Sequence, residues 1–82
     1  MINCDGFKDW LIKNTSYTTA AINDVVSRMN RADKLLEWDG KETYIYYLEK
    51  SDKFLDLSVS VKSQMRKAVK YYIEFNKSAS EE

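Results

Sequence analysis

Residues 60–77, SVKSQMRKAVKYYIEFNK, carry apolar side chains on one side of a helix and cations on the other. Projected at about 100° per residue, Val61, Met65, Ala68, Tyr72 and Phe75 share one narrow sector, while Lys62, Arg66, Lys70 and Lys77 line the far side. The stretch predicts an amphipathic helix that packs through one face and offers the other to an anion. No other segment of the chain is so one-sided in charge: residues 57–77 hold five basic residues against Glu74 alone, whereas residues 1–56 hold eight basic and ten acidic.

Working outward, the chain has 82 residues, 44% hydrophobic and 32% charged, which suits one domain with a modest core. Formal net charge is zero, so any electrostatic argument rests on local asymmetry. There is no histidine and one cysteine, Cys4, which removes the common zinc sites, imidazole-based nucleophilic sites and an internal disulfide. Cys4 is expected to be a passive residue near a frayed end. No apolar run has the length of a signal peptide or a membrane span, and the chain reads as cytoplasmic. No cofactor, metal ligand or catalytic residue is expected.

The absence of proline and the scarcity of glycine leave polar breaks and caps as punctuation. Phe7, Trp10 and Leu11 mark a short helix ending near Asn14. Thr18 or Thr19 caps a long helix in which Ile22, Val25, Val26, Met29, Ala32 and Leu36 recur at helical spacing to about Glu37, and Trp38-Asp39-Gly40 ends it. Residues 41–50 predict a third helix with Tyr44, Tyr47 and Leu48 packed and Ile45 at its flank. A strand competes there, because residues 43–47, TYIYY, favour extended structure, but it would have no second strand to pair with. From Ser51 a polar connection with Phe54, Leu55 and Leu57 turned inward leads to Ser58 or Ser60 as the last cap. The expected fold is all-α, four helices in the order short, long, short, long. Residues 1–77 form the domain and 78–82 a polar tail or the start of a linker, while Met1, directly ahead of the first helix, reads as a natural start. Trp10, Trp38, Tyr44, Tyr47, Tyr72 and Phe75 are expected in the core, with Tyr46 and Tyr71 at exposed edges.

The Phe7-x-x-Trp10-Leu11 opening, the threonine-rich cap before a helix containing Ser27-Arg28-Met29, the short aromatic helix ending Tyr47-Leu48, and the run from Met65-Arg66-Lys67-Ala68 to Phe75 together resemble the core-binding domain of phage-integrase-type tyrosine recombinases. The resemblance covers nearly the whole chain. It implies a SAM-like four-helix bundle that binds duplex DNA, with a catalytic domain in the same polypeptide that carries out DNA recombination and integration. The chain itself would be non-catalytic and would lay its second and fourth helices on the DNA. Its neutral charge departs from a usually basic DNA clamp.

A lysine-rich helix face is ordinarily only solvated; the resemblance assigns this one to DNA. Phosphate contact needs long cationic side chains, and Lys62, Arg66 and Lys70 form a stripe about 12 Å long. Lys67 lies on the other side of the solvent face, Lys77 extends the run, and Ser27, Arg31 and Lys34 add a polar stripe on the second helix. Thr18 and Thr19 would bring a helix N-terminus to a phosphate. Arg66→Glu with Lys70→Glu is then expected to abolish binding without unfolding. The alternative is a helical protein-interaction or self-association module without nucleic acid, supported by the zero net charge and by apolar Ile73 on the basic side. An enzyme is the weakest reading, since Asp5/Asp9 and Asp52/Asp56 have ordinary surface spacing and lack a histidine or glycine-rich cradle.

Overall fold

Asn3 opens the first helix: its side-chain oxygen accepts from the Gly6 N–H at 3.0 Å, and Asp5 adds a negative charge to the first turn. In the computed structural model, which describes residues 2–81 and side chains over residues 2–78, this helix is α1, Cys4–Asn14. Thr15 closes it by donating both its hydroxyl and its backbone N–H to Leu11 O, at 2.7 and 3.0 Å. A Cβ at Gly6 would stand 2.6 Å from the Asn3 amide nitrogen and 3.0 Å from the Phe75 ring, so only glycine lets α1 keep its cap and approach Phe75.

Helix α2, Thr19–Leu35, is capped by Thr18, whose hydroxyl accepts from Ala21 N–H at 3.2 Å. It stops two residues short of Glu37. Asp33 accepts from the Trp38 N–H at 2.8 Å, turning the chain away, and Gly40 supplies the left-handed backbone (φ +78°) of the turn that follows. Helix α3 spans Tyr44–Lys50, α4 Asp52–Leu55 and α5 Val59–Glu81. Ser58, rather than Ser60, caps α5 by accepting from Val61 N–H at 3.3 Å. The described residues are all helical or irregular, with no strand, as the sequence predicts. They form five helices where four were expected, the addition being the single turn α4 within the expected polar connection. The backbone of residues 78–81 continues α5; the remainder of the tail reading, and that of Met1, lie outside the described residues.

Helix α5 packs against α1, α2 and α3; α2 also packs on α1, and α3 on α4. Between them, Phe7, Leu11, Met29, Ala32, Tyr44, Leu48, Phe54, Met65 and Val69 are completely buried, with Ile22, Val25, Ala68 and Tyr72 nearly so. Val69, completely buried, widens the buried sector of α5 beyond the expected one, whereas Val61 and Phe75 are only half-buried. Two residues expected inside the core lie outside it. Tyr47 is 60% exposed, because α3 starts three residues late and is only two turns long, so Tyr44 and Leu48 alone carry its buried side. Leu55 is 53% exposed: a four-residue turn that buries Phe54 points the next side chain out. Cys4 is not at a frayed end either. It lies in the first turn of α1, half-buried, and exchanges hydrogen-bonding contacts with the Asn30 side chain.

Tyr44 ties α3 to the end of α2. Its hydroxyl shares one proton between Ala32 O at 3.0 Å, which also accepts the Leu36 N–H, and Leu36 O at 2.5 Å, a carbonyl beyond the last helical turn. Tyr44→Phe is expected to cost about 1–2 kcal/mol at neutral pH. Burial, then the Asp33 and Asp39 carboxylates, push the Tyr44 phenol far above its ordinary value. The unfolded chain releases this proton at about pH 10, while the folded chain retains it. This contribution is therefore complete below about pH 10 and falls as pH rises further. Urea unfolding from neutral to alkaline pH should show the gap between wild type and Tyr44→Phe shrinking above about pH 10.

Candidate nucleic-acid interface

The two helices that bear most of the cations are packed side by side. α2 and α5 together carry Arg28, Arg31, Lys34, Lys62, Arg66, Lys67, Lys70 and Lys77 against Asp24, Asp33, Glu74 and Glu81. Residues 36–58, which include α3 and α4, carry three cations and six carboxylates. A neutral chain is thus polarised, positive over α2 and α5 and negative over the α3–α4 side.

The structure separates the candidate residues into two sets. Arg66 turns toward the negative side: its Nε donates to Glu49 at 2.7 Å and its guanidinium lies 5.4 Å from the Phe54 ring centre. Lys77 pairs with Glu42. These two cations already face carboxylates, and a phosphate would have to compete for them. Lys62 is half-buried and Lys70 exposed, and neither forms an ion pair among the described residues. Arg66 is thus drawn to the α3–α4 flank of α5, which takes the middle of the expected stripe between Lys62 and Lys70 out of free play. On α2, Ser27, Arg31 and Lys34 are exposed together, and Thr18 and Thr19 are exposed at its start, although the Thr18 hydroxyl is engaged as the cap.

Lys67 is exposed on the α2 side of α5, its ammonium 5.5 Å from the centre of the Tyr17 ring. Tyr17 and Tyr71 share a hydrogen bond at 2.9 Å, and their rings meet edge to face at 6.0 Å. The Lys67 ammonium beside it, and secondarily the hydrogen bond with Tyr71, draw the Tyr17 phenol below its ordinary value. The same contacts push Lys67 and Tyr71 up, as follows if Tyr71 donates to Tyr17. Tyr71 is consequently half-buried, while Tyr46 is 62% exposed.

Sequence reasoning left Arg28 out of the candidate set. It is half-buried and lines a cleft of about 210 Å³ between α2 and α5, together with Tyr17, Asp24, Gln64 and Lys67 over a floor of Ala21, Val25 and Ala68. Its place beside Ser27 in the Ser27-Arg28-Met29 segment was the available signal. Ile73, taken as an apolar intruder on the basic face, is half-buried and packs on the core beside a cavity lined by Trp38. It carries no implication of a partner.

Long cations and an amide flanking a cleft can neutralise and orient a polyanion. No group of three His, Cys, Asp or Glu side chains among the described residues is placed to hold a metal ion, and no helix is long and apolar enough to cross a membrane. No protein-family model matches the chain, and no curated protein or solved structure matches it significantly, so the recombinase resemblance stands on its own residues.

Proposed function

We propose that this chain is a duplex-DNA-binding domain that lays α2 and α5 on the DNA, in the manner of the SAM-like core-binding domain of phage-integrase-type tyrosine recombinases. It contributes no catalytic residue and works beside a catalytic domain of the same polypeptide. The observation that supports this reading is the polarised charge: the cation-rich helices adjoin, and Arg28, Arg31, Lys34, Lys67 and Lys70 on them have no carboxylate partner within ion-pair distance among the described residues. Such a face attracts phosphates while the opposite, acidic side orients the domain.

One observation favours a second reading, a protein-interaction module. Tyr46, Tyr47, Leu55 and Val59 are each more than half exposed around α3, α4 and the start of α5. Sedimentation velocity separates the two. With a mixed-sequence duplex at low salt, the DNA reading expects the chain to co-sediment with DNA and to remain monomeric alone. Concentration-dependent self-association with no DNA shift would replace it by the interaction module.

A further inference from the structure

We infer that the cleft between α2 and α5 seats a phosphate group of the nucleic-acid backbone, held by Arg28 and Lys67 with the Tyr17 hydroxyl and Gln64 amide as further donors. This rests on the DNA-binding reading and assigns it a specific contact.

Three observations converge on the cleft. The first is supply of donors: α2 contributes Arg28, α5 contributes Gln64 and Lys67, and the turn before α2 contributes Tyr17, so one group in the cleft is reached from both helices. The second is the floor. Ala21, Val25 and Ala68 are small, which leaves the cleft open between two helices that otherwise pack closely.

The third is the state of the cations. Two other cations of α5 are paired internally, Arg66 with Glu49 and Lys77 with Glu42, whereas Lys62 and Lys70 stand on open flanks outside the cleft. Arg28 has Asp24 one helical turn earlier, in the favoured acid-before-base order, and both line the cleft, yet they form no ion pair among the described residues. Lys67 has no carboxylate partner among those residues, only the Tyr17 ring and phenol. Two cations thus border one cleft over an apolar floor, where the lining carboxylate, Asp24, is paired with neither of them. The Asp24 carboxylate repels a phosphate from its own wall, which places the anion toward Lys67 and Tyr17, away from Asp24.

A phosphodiester fits these donors better than a carboxylate does. Both offer two oxygens that share one negative charge, but the tetrahedral phosphorus spreads its two wider toward cations on opposite walls and leaves two ester oxygens toward solvent, where the rest of the strand runs.

The test uses the whole chain and the variants Arg28→Ala and Lys67→Ala, with Lys53→Ala on α4 as control. Duplex affinity is measured by fluorescence anisotropy over a salt series, and far-UV circular dichroism verifies folding. Each cleft variant should bind about tenfold more weakly at low salt and lose about one unit of salt slope, with the control unchanged. Wild-type affinity and slope in both cleft variants would overturn the inference and leave the DNA-binding reading standing. Inorganic phosphate is the second arm, followed by the resonances of the Tyr17 ring and the Gln64 side-chain amide. Shifts there without any duplex binding by the wild type would uphold phosphate seating but overturn DNA as its source. No shift with phosphate and no duplex binding would overturn both.

Discussion

Arg31→Glu combined with Lys70→Glu is expected to weaken duplex binding by at least about a hundredfold at about 50 mM salt while leaving the fold intact. The pair takes one exposed residue from α2 and one from α5, neither of which has an ion-pair partner among the described residues. A cation that neutralises one phosphate contributes a slope of about 0.9 in log affinity against log salt, or somewhat over one log unit at this salt. Two lost contacts therefore exceed a hundredfold before repulsion is added. Exposed substitutions of this kind change stability by only about 0.5 kcal/mol. The doubly charged control, Lys50→Glu with Lys53→Glu, alters net charge equally on the acidic side and should weaken binding far less. Equal losses in both double variants, read by anisotropy, would mean that net charge, and not the α2–α5 face, governs association. Arg66→Glu is a poorer probe than its place in the sequence suggests. It would set a second carboxylate against Glu49 above the Phe54 ring, and so would mix lost binding with lost stability.

Tyr72→Ala is expected to cost about 3–5 kcal/mol, enough to unfold much of a chain of this size, whose total stability is about 4–12 kcal/mol. The side chain is 2% exposed. Its ring meets Phe7 edge-on at 4.9 Å and Trp38 edge-on at 5.0 Å, joining α5 to α1 and to the turn after α2. Its hydroxyl accepts from the backbone N–H of Asn3, the α1 cap residue, at 2.9 Å. Truncation removes both of these ring contacts, and a third with Phe75, and leaves that N–H without its acceptor. Tyr72→Phe keeps the ring and should cost about 1 kcal/mol. Urea midpoints read both variants; a loss below about 1 kcal/mol for Tyr72→Ala would show that Tyr72 is not central to the core.

The helices were legible where a long stripe was bounded by its own punctuation. α2 shows this best: Thr18 caps it, Ile22, Val25, Met29 and Ala32 are buried, and the chain turns before Trp38. The short aromatic segment was legible as a helix but not as to which tyrosines it buries. In seven residues periodicity leaves several faces open, and the choice of Tyr44 over Tyr47 depends on the carbonyls of Ala32 and Leu36, which another helix supplies. The cations of the candidate interface were visible as residue types, yet their partners were not. Arg66 meets a carboxylate 17 positions away, and the phenols of Tyr17 and Tyr71 meet across 54. Local spacing holds no information about such pairs, which is also why Arg28 was missed. On a helical projection it flanks the buried face, and only the approach of α5 makes that flank one wall of a cleft.

The most direct test is the salt dependence of duplex binding by the wild-type chain. Four phosphates, one seated by Arg28 and Lys67 together and the others met by Arg31, Lys34 and Lys70, predict that log affinity falls against log salt with a slope of roughly −3 to −4. A slope near zero, or no measurable binding at the lowest salt, would contradict the assignment of the α2–α5 face to DNA.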